Sequence, residues 1–197
     1  FAAPEVSAST GESPVYLRFM AYANDADITV SAPAVGSTLP TQTLTVLANS
    51  VDSINLTAFL ASVESPAADA ASPNGIKIVA TNNISVFYEL KSATNKEIFS
   101  LKGNKALGDN FYTPFQTFWD NASTTPASFS SIDIVATEDN TTVLITPRTD
   151  IVGHVQDVSF SVILNEGQTY SARDMNTTGA STLAGSIVSS NKPIALT

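Results

Sequence analysis

Residues that could carry out acid–base or nucleophilic chemistry are few in this sequence and widely spaced. The 197 residues include one histidine, His154, and no cysteine. A catalytic histidine needs a positioned nucleophile and an orienting acid, and no G-x-S-x-G motif accompanies this one. Glu89 and Glu97 lie about one hairpin apart and could face each other as the two carboxylates of a glycoside hydrolase. Nothing in the surrounding pattern marks either residue as a catalytic acid, so we predict that the chain is not an enzyme.

Oxygen-rich turns are the one place where the sequence allows a metal ion. With no cysteine and one histidine, a zinc site is not expected. Carboxylates and amides, the hard ligands that Ca²⁺ prefers, cluster in two turns. The same residue types suit tight turns for backbone reasons alone, so both interpretations stay open, and we predict no other cofactor. The calcium candidates are Asp25, Asp27, Glu138, Asp139 and Asn140.

Aromatic residues concentrate in one segment, NFYTPFQTFWDN (110–121). If these rings are exposed, they could stack on sugars or form a protein-binding hot spot. The alternative is that Phe111 and Phe115 belong to the core while Trp119 caps a sheet edge. The candidates for a ligand-binding patch are Phe111, Tyr112, Phe118 and Trp119.

Composition and charge exclude several classes of protein. The net charge is −9 and the pI is about 4.3, which repels the phosphate backbone of nucleic acids. No apolar run approaches the length of a membrane-spanning helix. Charged residues make up only 14% of the chain, and Ser, Thr, Asn and Ala replace them, as is typical of extracellular β-modules. We therefore predict an extracellular or cell-surface protein with no nucleic-acid partner and no membrane span.

Short segments in which apolar and polar residues alternate predict an all-β, antiparallel fold. Examples are DITVSAP (27–33), IDIVATE (132–138) and VSFSVILN (158–165). A helical segment is expected only near Leu56–Glu64. The small and polar residues of SPAADAASPNG (65–75) predict a mobile surface loop.

Internal repetition adds to this fold prediction. Four places share a pattern of an apolar strand, an Asn- or Asp-rich turn and a second strand. Because Asn and Asp close hairpins readily, we predict hairpins at these turns, in repeats of about 56 residues. Such repeats favour propeller-like blades, with a β-sandwich built by duplication as the alternative. The turns lie near Asn24, Asn83, Asp139 and Asn191, at spacings of 59, 56 and 52 residues.

The repeats also suggest a division of the chain into segments. We predict an N-terminal arm or mature start (1–14), a first repeat (15–74) and a longer repeat segment (75–197). The fourth strand–turn–strand unit stops in mid-motif at KPIALT, so we expect the protein to continue beyond it.

Five strings follow one another within residues 75–197: GIKIVATNNISVFYEL, NKEIFSLKGNKALGDNFYTPFQ, IDIVATEDNTTVLITP, VILNEGQTYSARD and GSIVSSNKPIAL. In this order they resemble the N-terminal module of the IgGFc-binding protein type, as it occurs on large surface proteins of Bacteroidota. The resemblance implies a secreted, non-enzymatic cell-surface module, often exported by the type IX system and linked to adhesion or gliding motility. It does not imply antibody binding, because an activity need not travel with a domain, and it implies no ligand-contacting residues.

A short motif outside these residues suggests one modification site. Asp52-Ser53-Ile54 is similar to the signal for O-glycosylation in Bacteroidota, so Ser53 is a candidate for glycosylation.

Taken together, these observations predict a non-enzymatic adhesion or recognition module of a larger secreted protein. Its expected partner is a glycan or protein on an opposing surface, or a neighbouring domain of the same long chain. The alternative is a structural subunit or stalk segment of a surface filament, in which strand edges pair between copies.

Overall fold

The computed structural model describes residues 1–5, 13–93, 96–114, 123, 127–179 and 181–197. Over these residues the chain is all-β, which confirms the prediction from the alternating sequence patterns. A 3-10 turn (Thr57–Phe59) leads into a one-turn helix, α1 (Leu60–Val63), where the sequence predicted a helical segment. The strands are β1 (Val15–Ala21), β2 (Ala26–Ser31), β3 (Gln42–Val46), β4 (Val51–Asn55), β5 (Ala71–Ser72), β6 (Lys77–Ala80), β7 (Ile84–Lys91), β8 (Lys96–Leu101), β9 (Gly108–Tyr112), β10 (Ser131–Ala136), β11 (Thr141–Thr146), β12 (Phe160–Leu164), β13 (Thr169–Arg173) and β14 (Ile187–Leu196).

Within the described residues these strands form three antiparallel sheets. One sheet has the order β4-β1-β7-β8 and a second has the order β3-β2-β6. The third has the order β12-β11-β14-β10-β13-β5, and β9 also pairs with β14. Sheets of four, three and seven strands differ from the series of equal four-stranded blades that a propeller contains.

The Asn- and Asp-rich turns do not close hairpins, so this part of the sequence interpretation is wrong. β1 and β2 flank the turn near Asn24, but β1 pairs with β7 and β2 pairs with β6. β10 and β11 flank the turn near Asp139, and each pairs with β14 instead of with the other. Asn191 lies inside β14, which continues through it. The alternating pattern identifies strands but not their partners, and here the chain bends across the core after each turn.

In two parts of the chain, the strands on either side of a turn pair with other strands instead of with each other. We call this arrangement crossed pairing. We call β1–β4 with β6–β8 the N-terminal half, and β9–β14 the C-terminal half. β2 and β1 carry β3 and β4 at their edges, just as β11 and β10 carry β12 and β13. The crossed ladders also have the same register. In both halves, the second of two corresponding pairs lies seven residues after the first pair on one side of the ladder and four residues before it on the other. These pairs are Ala21–Ile84 and Ile28–Ala80 in the N-terminal half, and Ala136–Ile194 and Val143–Ser190 in the C-terminal half.

Turns outside the ladders correspond as well. The β3–β4 turn places Asn49 in the left-handed region (φ 56°), and the β12–β13 turn places Gly167 there (φ 75°). Asn and Gly are the residues that tolerate this conformation. The corresponding main-chain hydrogen bonds run from Ala21 N to Ser50 O and from Ala136 N to Gln168 O, both at 3.1 Å.

Each half has its own hydrophobic core. The N-terminal core contains alternate residues of β1, β2 and β7, with Phe19 and Tyr88 among its largest buried side chains. The C-terminal core contains alternate residues of β10, β11 and β13, including Ile134 and Tyr170. In both halves the two crossed ladders contribute to one core. This arrangement is closer to the predicted two-sheet alternative than to a propeller.

Residues 65–75, which we call the strap, link the two halves by non-covalent contacts and not as the chain connection between them. The sequence predicted a mobile surface loop here; most of residues 66–71 is exposed, whereas the ends of the strap are not, and its mobility stays a prediction. Ser65 and Asn74 are buried, and β5 within the strap pairs with β13. Arg173 donates a hydrogen bond to the Ser65 carbonyl, and Ser65 Oγ donates one to Thr169 Oγ1 at 3.1 Å. The small polar residues that indicated a loop also suit a segment packed closely between two halves.

Strand pairing groups β6 and β7 with the strands that precede the strap, and the division of the chain at residues 14 and 74 stays a prediction. β6 and β7 follow residue 75, yet they complete the sheets of the N-terminal half. The N-terminal residues also pack against this half. The Phe1 ring lies 5.1 Å from the Tyr88 ring, and Ala3 is fully buried.

Candidate functional site

The outer face of the C-terminal half carries four exposed apolar side chains on adjacent strands. Tyr112 on β9 pairs directly with Ile187 on β14. Leu144 and Ile163 lie on the next two strands, β11 and β12. The exposed fractions are 74% for Tyr112, 38% for Ile187, 44% for Leu144 and 67% for Ile163. We call these four residues the C-terminal sheet face.

Strand alternation forces these side chains outward. Their neighbours Val143, Ile145 and Val188 are fully buried in the C-terminal core. Successive side chains of a strand point to opposite faces, so Leu144 and Ile187 point to solvent. The burial of one set of residues therefore fixes the exposure of the other.

The corresponding positions in the N-terminal half are polar. The matching registers of the two halves assign one residue there to each of three apolar residues. All three of the polar residues are exposed. Because the same ladders form with polar residues on their outer face, folding does not require the apolar ones. The corresponding pairs are Leu144 and Thr29, Ile163 and Thr45, and Ile187 and Lys77.

The composition of the C-terminal sheet face suits contact with a protein. Contiguous exposed apolar side chains mark interaction sites, and an aromatic anchor beside polar groups is the usual anatomy of a protein interface. Hydroxyl side chains lie between the apolar ones and can exchange hydrogen bonds with a partner. These hydroxyl residues are Thr142, Thr146, Ser161 and Ser189.

Residues 98–197 match the model of the family described as IgGFc binding protein. The chain belongs to this family. The match confirms the family resemblance seen in the sequence, and the family is one of binding proteins rather than of enzymes. Comparison with curated proteins and with solved structures gives no match.

The IgGFc-binding segment begins within β8 and contains β9–β14, so it includes the whole C-terminal sheet face. In the described part of the chain, no helix is long and apolar enough to cross a membrane.

The aromatic candidates of the IgGFc-binding segment divide between two roles. Phe111 is partly buried and packs against the C-terminal core, whereas Tyr112 is exposed. Phe118 and Trp119, and Phe115 with them, lie outside the described residues. Tyr112 is therefore the one ligand-patch candidate that the described structure places on an open surface.

The calcium candidates of the N-terminal half hold turns together. Asp25 Oδ1 accepts a hydrogen bond from Ala48 N at 2.7 Å. Asp27 Oδ1 accepts one from the Thr45 hydroxyl, also at 2.7 Å. Each carboxylate thus ties the β1–β2 region to β3 or to the turn that follows it.

The candidates in the IgGFc-binding segment behave similarly. Asp139 Oδ1 accepts a hydrogen bond from Glu166 N at 3.0 Å, and Glu138 lies 3.9 Å from the Lys192 ammonium. Asn140 occupies the left-handed region, with φ 54°. No three His, Cys, Asp or Glu side chains come together anywhere among the described residues. Calcium binding stays a prediction, and turn chemistry accounts for the contacts that these residues make.

The two glutamates considered as hydrolase acids do not face each other. Glu89 pairs with Ile98 and Glu97 pairs with Leu90 in adjacent positions of one ladder, so their side chains point to opposite faces of the sheet. Glu89 instead accepts a hydrogen bond from Arg18 Nε at 2.5 Å.

His154 belongs to a structural cluster that binds the strap. Its Nε2 lies 2.9 Å from Asp69 Oδ1, and its ring stacks on Phe160. Tyr170 donates a hydrogen bond to the same Asp69 oxygen at 2.7 Å. Burial acts to raise the pKa of Asp69, but the hydrogen bonds from Tyr170 and His154 outweigh it and hold the pKa below its usual value. The cluster therefore keeps a carboxylate ionised where the strap meets the C-terminal half.

Ser53, the glycosylation candidate, lies on the edge strand β4 opposite Arg18. Its side chain is partly exposed, and its modification stays a prediction.

Sequence reasoning missed three of the four residues of the C-terminal sheet face. The signal for one of them was visible in TVLITP (142–147), where an apolar Leu144 stands between two other apolar residues of an alternating strand. An apolar residue at a strand position whose side chain points away from the core indicates either burial by another layer or an exposed patch.

Proposed function

We propose that this chain is a non-enzymatic recognition module of an extracellular surface protein, and that it binds a protein partner through the C-terminal sheet face. The observation that carries the proposal is the exposure of Tyr112, Leu144, Ile163 and Ile187 on neighbouring strands of the family-matched segment. The polar counterparts of Leu144, Ile163 and Ile187 in the N-terminal half support it, because they show that the ladders form without apolar residues at these three positions.

The chemistry of the face also favours a particular mode of binding. Neither the four apolar residues nor the four hydroxyl residues between them carry a charge. Binding should therefore depend on buried apolar area and shape rather than on electrostatic steering. We expect the affinity to change little with salt concentration.

This proposal is tested by measuring binding of the chain to immunoglobulin G Fc, mucin and fibronectin, each immobilised on a sensor surface. The informative variant is the double substitution Leu144→Thr and Ile163→Thr, which installs the residue type found at the corresponding N-terminal positions. We expect saturable binding by the unmodified chain to at least one of these proteins, and a loss of about tenfold or more in the double variant.

A matched control is Val79→Thr, which changes an apolar residue that is 54% exposed on the outer face of the N-terminal half. This control should bind as the unmodified chain does. Retention of full affinity by the double variant, or no saturable binding to any of the three proteins, would contradict the proposal.

The cellular location of the protein is part of the same proposal. The family resemblance supports a place on the surface of a bacterium of the Bacteroidota type, on a long chain exported by the type IX system and used in adhesion or gliding. Protease shaving of intact source cells, followed by mass spectrometry of the released peptides, tests this. Peptides from this chain in the shaved fraction would support surface exposure, and their confinement to lysed cells would contradict it.

A structural role in a surface assembly is the second candidate, and the free edge of β4 favours it. β4 corresponds to β13, whose outer edge pairs with β5 of the strap; among the described strands, β4 pairs only with β1. Met20 and Val51 lie exposed beside this edge. A strand from a neighbouring domain or second copy could add to β4 as β5 adds to β13. Association seen by sedimentation velocity at micromolar concentration would support this role, and a monomer would favour the recognition module.

A further inference from the structure

An open groove lies between the β1–β2 and β6–β7 turns of the N-terminal half, outside the segment that matches the IgGFc-binding family. Its volume of about 510 Å³ falls within the roughly 300–1,000 Å³ typical of small-molecule sites. We call it the turn groove. It is lined by Tyr22, Ala23, Asn24, Ala80, Thr81, Asn82 and Asn83.

The turn groove is held in shape by hydrogen bonds between its two turns. Asn82 Nδ2 donates to the Asp25 carbonyl at 2.7 Å, and Thr81 Oγ1 accepts from Asp27 N at 2.9 Å. The Tyr22 hydroxyl lies 2.6 Å from Ser85 Oγ, which fixes the direction of its ring. A site whose walls are ordered before binding loses less entropy when a ligand arrives.

The groove offers a flat apolar ring beside free amides. Tyr22 is 47% exposed, so part of its ring can accept a ligand. Asn24 and Asn83 are both exposed, and neither side chain forms a hydrogen bond with other residues of the described structure. Each amide has both a donor and an acceptor group.

Different side chains occupy the same place in the C-terminal half. Thr137 stands where Tyr22 does, and its hydroxyl donates to the Pro193 carbonyl at 2.5 Å. Lys192 stands where Asn82 does, and its ammonium donates to the Asp139 carbonyl at 2.5 Å. β14 also runs unbroken through this region. The lining of the turn groove is therefore a feature of one half and not a consequence of the shared strand pairing.

The lining selects a class of ligand. It contains no charged side chain, and the overall charge of −9 disfavours anionic ligands. The nearest carboxylates, Asp25 and Asp27, already accept hydrogen bonds from Ala48 and Thr45. Sugar hydroxyls both donate and accept, which matches the Asn amides, and the C–H face of a sugar ring can lie on an aromatic ring such as Tyr22. We propose that the turn groove binds a neutral oligosaccharide.

Titration of the full chain with neutral trisaccharides, followed by two-dimensional NMR, tests the proposal. Suitable probes are maltotriose, cellotriose, triacetylchitotriose and mannotriose, with sialyllactose as the anionic comparison. We expect at least one neutral probe to shift the side-chain amide signals of Asn24 and Asn83 saturably. Tyr22→Ala and Asn83→Ala should each weaken binding about tenfold or more, and Tyr22→Phe, which keeps the ring, should retain most of it.

Two further variants locate the site. Asn82→Lys places the residue of the C-terminal counterpart, Lys192, into the groove and should abolish binding without loss of the fold, as judged by the remaining NMR spectrum. Tyr112→Ala removes an exposed tyrosine elsewhere and should leave sugar binding unchanged. The proposal is overturned if no neutral probe binds, if binding survives both Tyr22→Ala and Asn82→Lys, or if sialyllactose binds more tightly than every neutral probe. These outcomes are independent of protein binding at the C-terminal sheet face.

Discussion

The N-terminal and C-terminal halves share their strand pairing but expose different surfaces. The strap pairs with β13, whose five residues are all buried, whereas β4, which has the corresponding place in the other half, is mostly exposed. On the outer face, Leu144, Ile163 and Ile187 stand where the N-terminal half has Thr29, Thr45 and Lys77, while Ser189 stands where it has the exposed Val79. Tyr22 and Asn82 line the turn groove of the N-terminal half, where the C-terminal half has Thr137 and Lys192.

This comparison separates what the fold requires from what it permits. Positions that are buried in both halves, such as Ile28 and Val143 at corresponding places, serve the cores. Positions that differ in polarity between the halves are not held to one residue type by the cores. The C-terminal sheet face and the lining of the turn groove contain positions of this second kind.

Substitution at Gly75 should produce the largest loss of stability, because it disrupts the contact between the halves. The Gly75 amide donates to the Gly167 carbonyl at 2.9 Å, and a Cβ at Gly75 would overlap that carbonyl oxygen and press on the Val135 side chain. We expect Gly75→Val to lower the free energy of unfolding by about 3 kcal/mol. Urea denaturation measures this, with Ala70→Val at an exposed position of the strap as the control. Equal stability of the two variants would mean that the strap does not join the halves.

Arg173 and its counterpart Asn55 should differ in their contribution to stability. Arg173 is buried, donates to the Ser65 carbonyl, pairs with Glu5 at 2.8 Å and lies over the Phe129 ring. We expect Arg173→Met to cost about 2 kcal/mol, because the Ser65 carbonyl loses its donor in a buried site. The exposed Asn55 should tolerate Asn55→Ala at a cost of less than about 1 kcal/mol. Thermal and urea unfolding of both variants gives the comparison, and a larger cost at Asn55 would reverse it.

Substitution of Asp133 should change the stability of the protein by a smaller amount, and this change should depend on pH. Burial raises the pKa of Asp133 to about 6, against the opposing effects of hydrogen bonds from Ser131 and Ser171 and the charge of Arg173, while Glu5 acts to raise it further. Since the folded pKa is above that of the unfolded chain, protonation of Asp133 favours the folded state. Its contribution is fully present below about pH 4 and is lost as the pH rises through about 6.

Asp133→Asn should therefore melt at a higher temperature than the unmodified chain at neutral pH, with the advantage shrinking as the pH falls to about 4. Melting curves across this range test the prediction. A difference between Asp133→Asn and the unmodified chain that stays constant across this pH range would show that folding does not raise the pKa of Asp133.

The sequence predicts the strands well and their partners poorly. Alternating segments such as β2 and β10 are local patterns, and local patterns determine whether a strand forms. The choice of β7 over β2 as the partner of β1 depends on contacts between residues far apart in the chain, and these leave no local signal. The same holds for the strap, whose Ser65 and Asn74 are buried only because the C-terminal half packs on them.

The candidate site shows the same limit. Tyr112 was recognisable as one of several aromatic candidates, because its residue type alone suggests binding. Leu144, Ile163 and Ile187 have the residue types of a core, and only the register of the sheet shows that they point outward. Their significance follows from comparison with Thr29, Thr45 and Lys77, which requires the pairing of both halves.

The crossed pairing of strands in both halves is the claim on which these comparisons depend, and NMR measures it most directly. Cross-strand nuclear Overhauser effects should connect Ala21 with Ile84 and Ile28 with Ala80, and likewise Ala136 with Ile194 and Val143 with Ser190. Contacts that instead join β1 to β2, or β10 to β11, as hairpins would contradict the crossed pairing and with it the correspondence between the two halves.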